Sequence, residues 1–250
     1  MKRDELVNFL NGIFSTHLGI EGGANGLQVE GKEEVKKVGF AVDYSLDLVS
    51  FAIRDNVDFL FVHHGIFKKE INSIKGYFYH LIKDLIKNDI NLYGMHLPLD
   101  LNEKHSHGIK IGEMLGLENM EFYGNIGGFK YIVYGEFKME KDIEEIKDYI
   151  LKNVSDTLKT HEFGKKKIRK VAIITGSGIS YVDDVLSREV DLFITGETSH
   201  SYYHFLKYSK LNVFYLGHYN SEKWGILSVK NLVEKRFKIK TIFYDIPTYL

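Results

Sequence analysis

Two stretches of this chain carry the same strand, helix, strand pattern in one register, and no other feature limits its possible folds as much. Lys37-Val38 matches Lys170-Val171 and Val57-Asp58 matches Val190-Asp191, both at an offset of 133 positions (170 minus 37, 190 minus 57). At that register Val49 faces Val182, Ile53 faces Leu186, and the apolar run Phe59 to Val62 faces Leu192 to Thr195. The match runs without a gap, which marks a repeated structural unit. With one gap allowed, the segment from Ile90 to His96 pairs with that from Leu211 to His218. The halves then continue as His96-Leu-Pro-Leu-Asp100 and His218-Tyr-Asn-Ser-Glu222, each a histidine followed four residues later by an acid.

Short apolar runs separated by amphipathic helices predict buried parallel strands joined by crossovers. The runs Val38 to Val42, Phe59 to Val62 and Ile90 to Met95 supply three strands, with helices over 45–55 and 77–87. Leu6, Phe9, Leu10 and Ile13 recur at helical spacing and open the chain with a helix, which a glycine-rich turn over 22–26 follows. Pro98 predicts an extended or turn conformation for the segment from His96 to Asp100. Residues 121–168 add a strand at Tyr131 to Tyr134 and a helix near 141–152, and they group with the second half. The fold class that follows is α/β: two similar, duplicated α/β domains with mostly parallel central sheets. The first is expected over 1–120 and the second over 121–250, with the C-terminal strand returning to the first domain.

A chain of 250 residues, 44% hydrophobic and 27% charged, is long enough for two packed cores. Thirty-three basic residues against 34 acidic ones leave a net charge of -1, without the positive field of a nucleic-acid-binding chain, so nucleic acid is not an expected partner. The absence of cysteine excludes disulfides, thiolate catalysis and iron-sulfur clusters, and leaves any metal to His, Asp and Glu. Asp4 and Glu5 interrupt what would otherwise begin a signal peptide, and no 18 residues run apolar without a charge. A cytoplasmic protein with no membrane partner is expected.

Val62-His63-His64-Gly65 stands where a buried strand ends, the edge at which open α/β sheets collect ligands. Successive strand residues point to opposite faces, so His63 and His64 are expected to diverge, which suits one imidazole for each of two neighbouring ions. A solvated surface pair is the alternative. His218 and Glu222 are four apart and share one helix face within reach of a common ion, although an isolated pair of that spacing is more often an exposed pair without a role. Asp100 can reach the cleft of His64, with His96 supporting it from behind. Glu197 and His200 follow the strand end that corresponds to His63-His64, where they can support a site or cap a helix. His105-Ser-His107 has the form of a metal motif but is expected in a polar, exposed loop. Gly176-Ser-Gly178 lacks the lysine of a phosphate-binding loop and is expected to be a turn.

Taken in order, Asn25-Gly-Leu-Gln-Val29, Val42-Asp43, Val62-His-His-Gly65, His96-Leu-Pro-Leu-Asp100, Thr195-Gly-Glu197, Gly217-His218 and Glu222 resemble the Nif-three-like family, the GTP cyclohydrolase 1 type 2 homologues and YbgI-like dinuclear metal proteins. The resemblance runs nearly end to end. It implies a dinuclear site with His64 and Asp100 on one ion, His63 and His218 on the other, and Glu222 bridging them. It also implies two similar α/β domains and a ring-shaped homohexamer. The chain departs from the family at Gly22-Gly23-Ala24, where Trp-Asp is common before Asn25, and it lacks the long inserted domain of some relatives.

Two divalent ions per chain on mixed imidazole and carboxylate ligands suit zinc, manganese or iron better than calcium. Paired ions acidify water and stabilise a developing oxyanion, so metal-assisted hydrolysis is the expected reaction class, with Glu197 and His96 as proton carriers. The substrate class is a nucleotide or related small molecule, and cyclohydrolase activity enters only through the family's name. The alternative is a metal-stabilised hexameric scaffold or adaptor that contacts protein or DNA without turnover.

Overall fold

The computed structural model describes residues 1–15, 19, 25–67, 73–125 and 127–250. In chain order its elements begin with α1 (Arg3–Ile13), β1 (Gly26–Val29), β2 (Lys37–Asp43), α2 (Leu46–Arg54), β3 (Phe59–His64), α3 (Tyr77–Lys87), β4 (Asn91–Gly94) and α4 (Leu97–Asp100). They continue with α5 (His107–Leu115), β5 (Glu118–Tyr123), β6 (Ile132–Asp142), α6 (Ile143–Asn153), β7 (Lys159–Glu162) and β8 (Lys167–Ile174). The last are α7 (Val182–Val185), β9 (Leu192–Thr195), α8 (Tyr203–Ser209), β10 (Asn212–Tyr215), α9 (His218–Phe237) and β11 (Lys240–Phe243). The fold is α/β with two sheets. One compact unit comprises residues 1–102 and 226–246, and the other comprises 103–225 and 247–250.

The first unit's sheet runs β1-β4-β3-β2-β11, parallel throughout except for the edge strand β1. The second unit's sheet runs β5-β6-β8-β9-β10-β7; its centre, β8-β9-β10, is parallel and its flanks are antiparallel. Within them the order β1-β4-β3-β2 corresponds strand for strand to β7-β10-β9-β8. Alternate residues of β8 serve different cores: Val171 and Ile173 pack with Ile146 and Phe214, while Ala172 and Ile174 pack with Phe193 and Val213. A strand buried on both faces has no polar side, which is why these segments read as unbroken apolar runs.

The residues that align the two halves also make the same hydrogen bonds in each. Asp58 Oδ2 accepts from the backbone N–H of Lys36 and Lys37 at 2.9 and 3.2 Å, and Asp191 Oδ2 accepts from Arg169 and Lys170 at 2.9 and 2.8 Å. Lys32 Nζ lies 2.9 Å from Asp58 Oδ1, and Lys165 Nζ lies 3.0 Å from Asp191 Oδ1. Asn91 Oδ1 accepts from Gly31 N–H while its amide donates to the carbonyls of Lys32 and Asp58. Asn212 makes the equivalent bonds with Gly164, Lys165 and Asp191. Each knot ties together the N-terminal ends of three neighbouring parallel strands.

The expected helices form near their expected limits. Ser45 caps α2 by accepting from Leu48 N–H at 3.1 Å, and Asp142 caps α6 by accepting from Glu144 N–H at 3.1 Å. The strand expected at Tyr131 to Tyr134 extends as β6 to Asp142. The turn expected through Gly22, Gly23 and Ala24 lies outside the described residues. One expectation fails: the segment after His96 is not extended, because Pro98 sits in the first turn of α4, where a missing N–H costs no helical bond. Among the described residues no helix is long and apolar enough to cross a membrane.

Replacing Asp58 with Ala leaves two backbone N–H groups without their acceptor, at a cost of about 3 kcal/mol. Asp191→Ala is expected to cost a similar amount. Lys32→Ala removes only a half-exposed ion pair, worth less than about 1 kcal/mol. Urea unfolding checks the order; midpoints for the two aspartate variants no lower than that of Lys32→Ala would remove the knots as structural elements.

Candidate functional site

In the first unit, polar side chains gather where the parallel strands end. Asp43 is the last residue of β2 and faces His64, the last of β3, in the ladder. His63 is fully buried, and its Nδ1 lies 2.9 Å from the Met95 carbonyl oxygen. A carbonyl only accepts, so Nδ1 carries a proton, and Nε2 lies 3.6 Å from Asp100 Oδ2. His64 is held in the same manner, Nδ1 donating to Asp43 Oδ1 at 2.7 Å. Beyond β4, the His96 backbone N–H donates to Asn25 Oδ1 at 2.8 Å, and α4 carries Asp100 as a buried carboxylate.

The rings of His63 and His64 do not diverge. Their centroids are 4.5 Å apart, and that of His96 lies 4.9 and 5.3 Å from them. One ring nitrogen from each falls within 4.8 Å of the others, a group able to hold a metal ion. Strict alternation holds only while a strand is paired on both sides, and the β3-β4 ladder stops at Val62.

In the second unit the corresponding strand ends meet the start of α9. His218 Nδ1 donates to Glu197 Oε1, and the other oxygen of Glu197 accepts from Ser177 Oγ at 2.9 Å. His218 Nε2 lies 3.0 Å from Glu222 Oε2, one helical turn on. Burial opposes a charge on His218, yet Glu222 and Glu197 together raise its pKa to about 9. Two carboxylates on one imidazole thus favour a positive charge at this point, supplied by a proton on Nε2 or by a cation bound in its place. Glu197 stands 133 positions after His64, so the same strand end carries an imidazole in one unit and the carboxylate that orients one in the other.

Gly176 opens the turn after β8 with φ +60°, and a Cβ there would stand 2.3 Å from Glu222 Oε1 and 3.2 Å from His218 Nε2. Only glycine lets the backbone come this close. Its N–H donates to Ser221 Oγ at 2.9 Å, and its carbonyl accepts from the N–H of Gly196 and Glu197. Gly217, at φ +84°, is the extra residue between β10 and His218 that makes this segment one residue longer than the one from Ile90 to His96.

Of the residues singled out in the sequence, the first unit brings together His63, His64, His96 and Asp100. The second brings together Glu197, His218 and Glu222. His200 lies apart, exposed in a short 3-10 turn. His107 is not exposed: Ser106 caps α5, His107 is buried, and its Nδ1 accepts from Gly225 N–H at 3.0 Å. That bond commits Nδ1 as an acceptor, and a polar sequence around it gave no sign of the burial. Sequence reasoning gave no role to Asp43 and read Gly176 only as part of a turn, which it is. The first could have been found from the parallel register of β2 and β3, the second only from the close approach of α9.

A family model for Duf34/NIF3 (NGG1p interacting factor 3) matches residues 1–248. The chain belongs to that family. It is 37% identical to a GTP cyclohydrolase 1 type 2 homolog of Pyrococcus abyssi, and the match covers all of both chains. Among solved structures it resembles TTHA1606 from Thermus thermophilus, with a TM-score of 0.86 and 32% identity over all of both chains. It also resembles reduced HcgD from Methanocaldococcus jannaschii, with a TM-score of 0.86 and 28% identity over 98% of each.

In this Duf34/NIF3 chain, Gly176→Ala combines left-handed backbone strain with crowding of Glu222. Gly127 has nearly the same φ, +59°, but open space around it among the described residues, so Gly127→Ala measures the backbone part alone. That part is roughly 1–2 kcal/mol. Gly176→Ala is expected to be more destabilising than Gly127→Ala in thermal unfolding; equal losses would show that Glu222 moves aside without cost.

Proposed function

We propose that the chain is a metal-dependent hydrolase acting on a nucleotide or related small molecule. In this reading two divalent ions, zinc, manganese or iron, are held by His63, His64 and Asp100 of the first unit and His218 and Glu222 of the second. The observation that carries it is the orientation of the imidazoles. His63, His64 and His218 each spend Nδ1–H on an oxygen of Met95, Asp43 or Glu197, which keeps Nε2 as the coordinating atom. Ligating histidines are held in this way, and a solvated surface pair has no need of it. The donor set of nitrogen and carboxylate oxygen suits a borderline divalent cation.

Bound ions would supply Lewis acidity for attack by water on an ester, amide or ring carbon. The chain's own residues orient and move protons. Asp43 and Glu197 hold His64 and His218; Glu197 is bound at both oxygens, so it acts first as a positioning residue. His96, close to both other imidazoles of its unit, takes the role of proton carrier. A homohexamer is part of the same proposal and rests on the family resemblance alone.

Elemental analysis of purified protein is expected to give two ions per chain. Glu222→Ala should lose most of both if it bridges, and Asp100→Ala mainly one; full occupancy in both variants removes the bridge. The same metal-loaded protein, assayed on nucleotides and phosphoesters beside a His63→Ala/Glu222→Ala control, is expected to turn over slowly. Ions bound without any turnover, or activity surviving in the control, would favour the scaffold reading. Light scattering is expected to return six chain masses, and a monodisperse monomer at micromolar concentration would end the hexamer proposal.

A further inference from the structure

Asn25 and Gln28 belong to the segment that carries the family resemblance, and each ends on a histidine-bearing loop of the first unit. β1 is an edge strand, antiparallel to β4. Leu27 faces Tyr93 and Val29 faces Leu92, which makes Gln28 the extra residue of a β-bulge. A bulge re-aims the side chain it carries. Here the Gln28 amide reaches the turn beyond His64, where its Oε1 accepts from Ile66 N–H at 2.9 Å. The amide presses against that turn: a Cβ on Gly65 would stand 2.3 Å from Gln28 Oε1 and 2.5 Å from Nε2. At the head of the same strand, Asn25 Oδ1 accepts from His96 N–H at 2.8 Å. One short segment thus holds the chain at both places where imidazoles leave the sheet.

The duplicated sheet is an internal control on what the fold itself requires. β7 takes the place of β1, and there His161 faces Val213 and Thr160 faces Phe214 in unbroken register. Val213 and Phe214 correspond to Leu92 and Tyr93, so Gln28 has no counterpart in β7. The aspartate knots that hold strand register occur in both units, but of these two edge strands only β1 is bulged. A sheet of this design therefore forms without the bulge. What the first unit adds at its strand ends is the imidazole cluster of His63, His64 and His96, whose ring nitrogens lie within 4.8 Å of one another. From the β2 side, Asp43 holds the His64 ring and Tyr44 N–H donates to the His64 carbonyl at 3.0 Å. Gln28 holds the next turn from the β1 side.

We propose that Asn25 and Gln28 are positioning residues for the candidate metal centre, a brace that keeps the turns after β3 and β4 where His63, His64 and His96 converge. The inference rests on the metal reading and adds to it two residues that coordinate nothing. Their effect is pre-organisation: a site already assembled loses less freedom when an ion binds.

The test measures the zinc affinity of the metal-free full chain by competition with a chromogenic chelator, beside the urea midpoint of the same protein. Asn25→Ala and Gln28→Ala are each expected to weaken zinc binding about tenfold or more, the usual scale for groups that orient metal ligands. Gly65→Ala should act in the same direction while leaving both amides in the sequence, because its Cβ takes the space of the Gln28 amide. In Gln28→Ala/Gly65→Ala that space is vacant, so the double variant should bind no more weakly than Gln28→Ala alone. Cobalt gives a second readout: the visible absorption of the cobalt-loaded variants is expected to differ from that of wild type. Variants that lose stability in urea yet bind zinc as tightly as wild type would reduce the brace to a structural element and overturn the proposal. Fully additive losses in the double variant would overturn it as well. A wild type that binds no zinc ends the metal reading and this proposal with it, whereas equal tight binding in wild type and variants ends the brace alone.

Discussion

Parallel strands have no short turn to set their register, so something else must hold it. In both units a buried aspartate does so at the N-terminal ends: Asp58 and Asp191 each accept two backbone N–H groups of the preceding strand and are locked to the next by an asparagine amide. A slip of one residue would exchange the faces on which every side chain lies. With the register held at one end, the other end delivers His64 opposite Asp43 and brings Thr195 level with Tyr215, just before the turn to His218. The placement of every candidate ligand rests on those knots.

The strand ends then carry different chemistry on one plan. In the first unit the last residues of β3 are imidazoles, oriented by a backbone carbonyl and by a carboxylate from the neighbouring strand. In the second, the same position is a carboxylate, Glu197, and the imidazole comes from α9. Glycine is needed where the two meet, because Gly176 passes too close to Glu222 for any side chain. The raised pKa of His218 follows from this crowding of acids: burial disfavours its charge, and two carboxylates more than compensate.

Much of this was legible in the sequence. The repeat at 133 positions, the strands it marks and the α/β class came from apolar runs and a few polar matches, because buried strands leave a local, periodic trace. His63, His64, Asp100, His218 and Glu222 stood out because strand ends and helical spacing are also local properties. Glu197 was noticed at the right strand end, but not as the partner of His218.

What the chain's own order determined is therefore the set of elements, their duplication and which polar residues stand at strand ends. Tertiary structure alone decided how those residues face one another. It turned His63 and His64 toward a common region where alternation predicted divergence, buried His107 under α9, made Pro98 part of a helical turn and paired Asp43 with His64. The reason is physical: periodicity reports the surroundings averaged along a segment, whereas a hydrogen bond or a close backbone approach depends on one neighbour brought from a distant part of the chain.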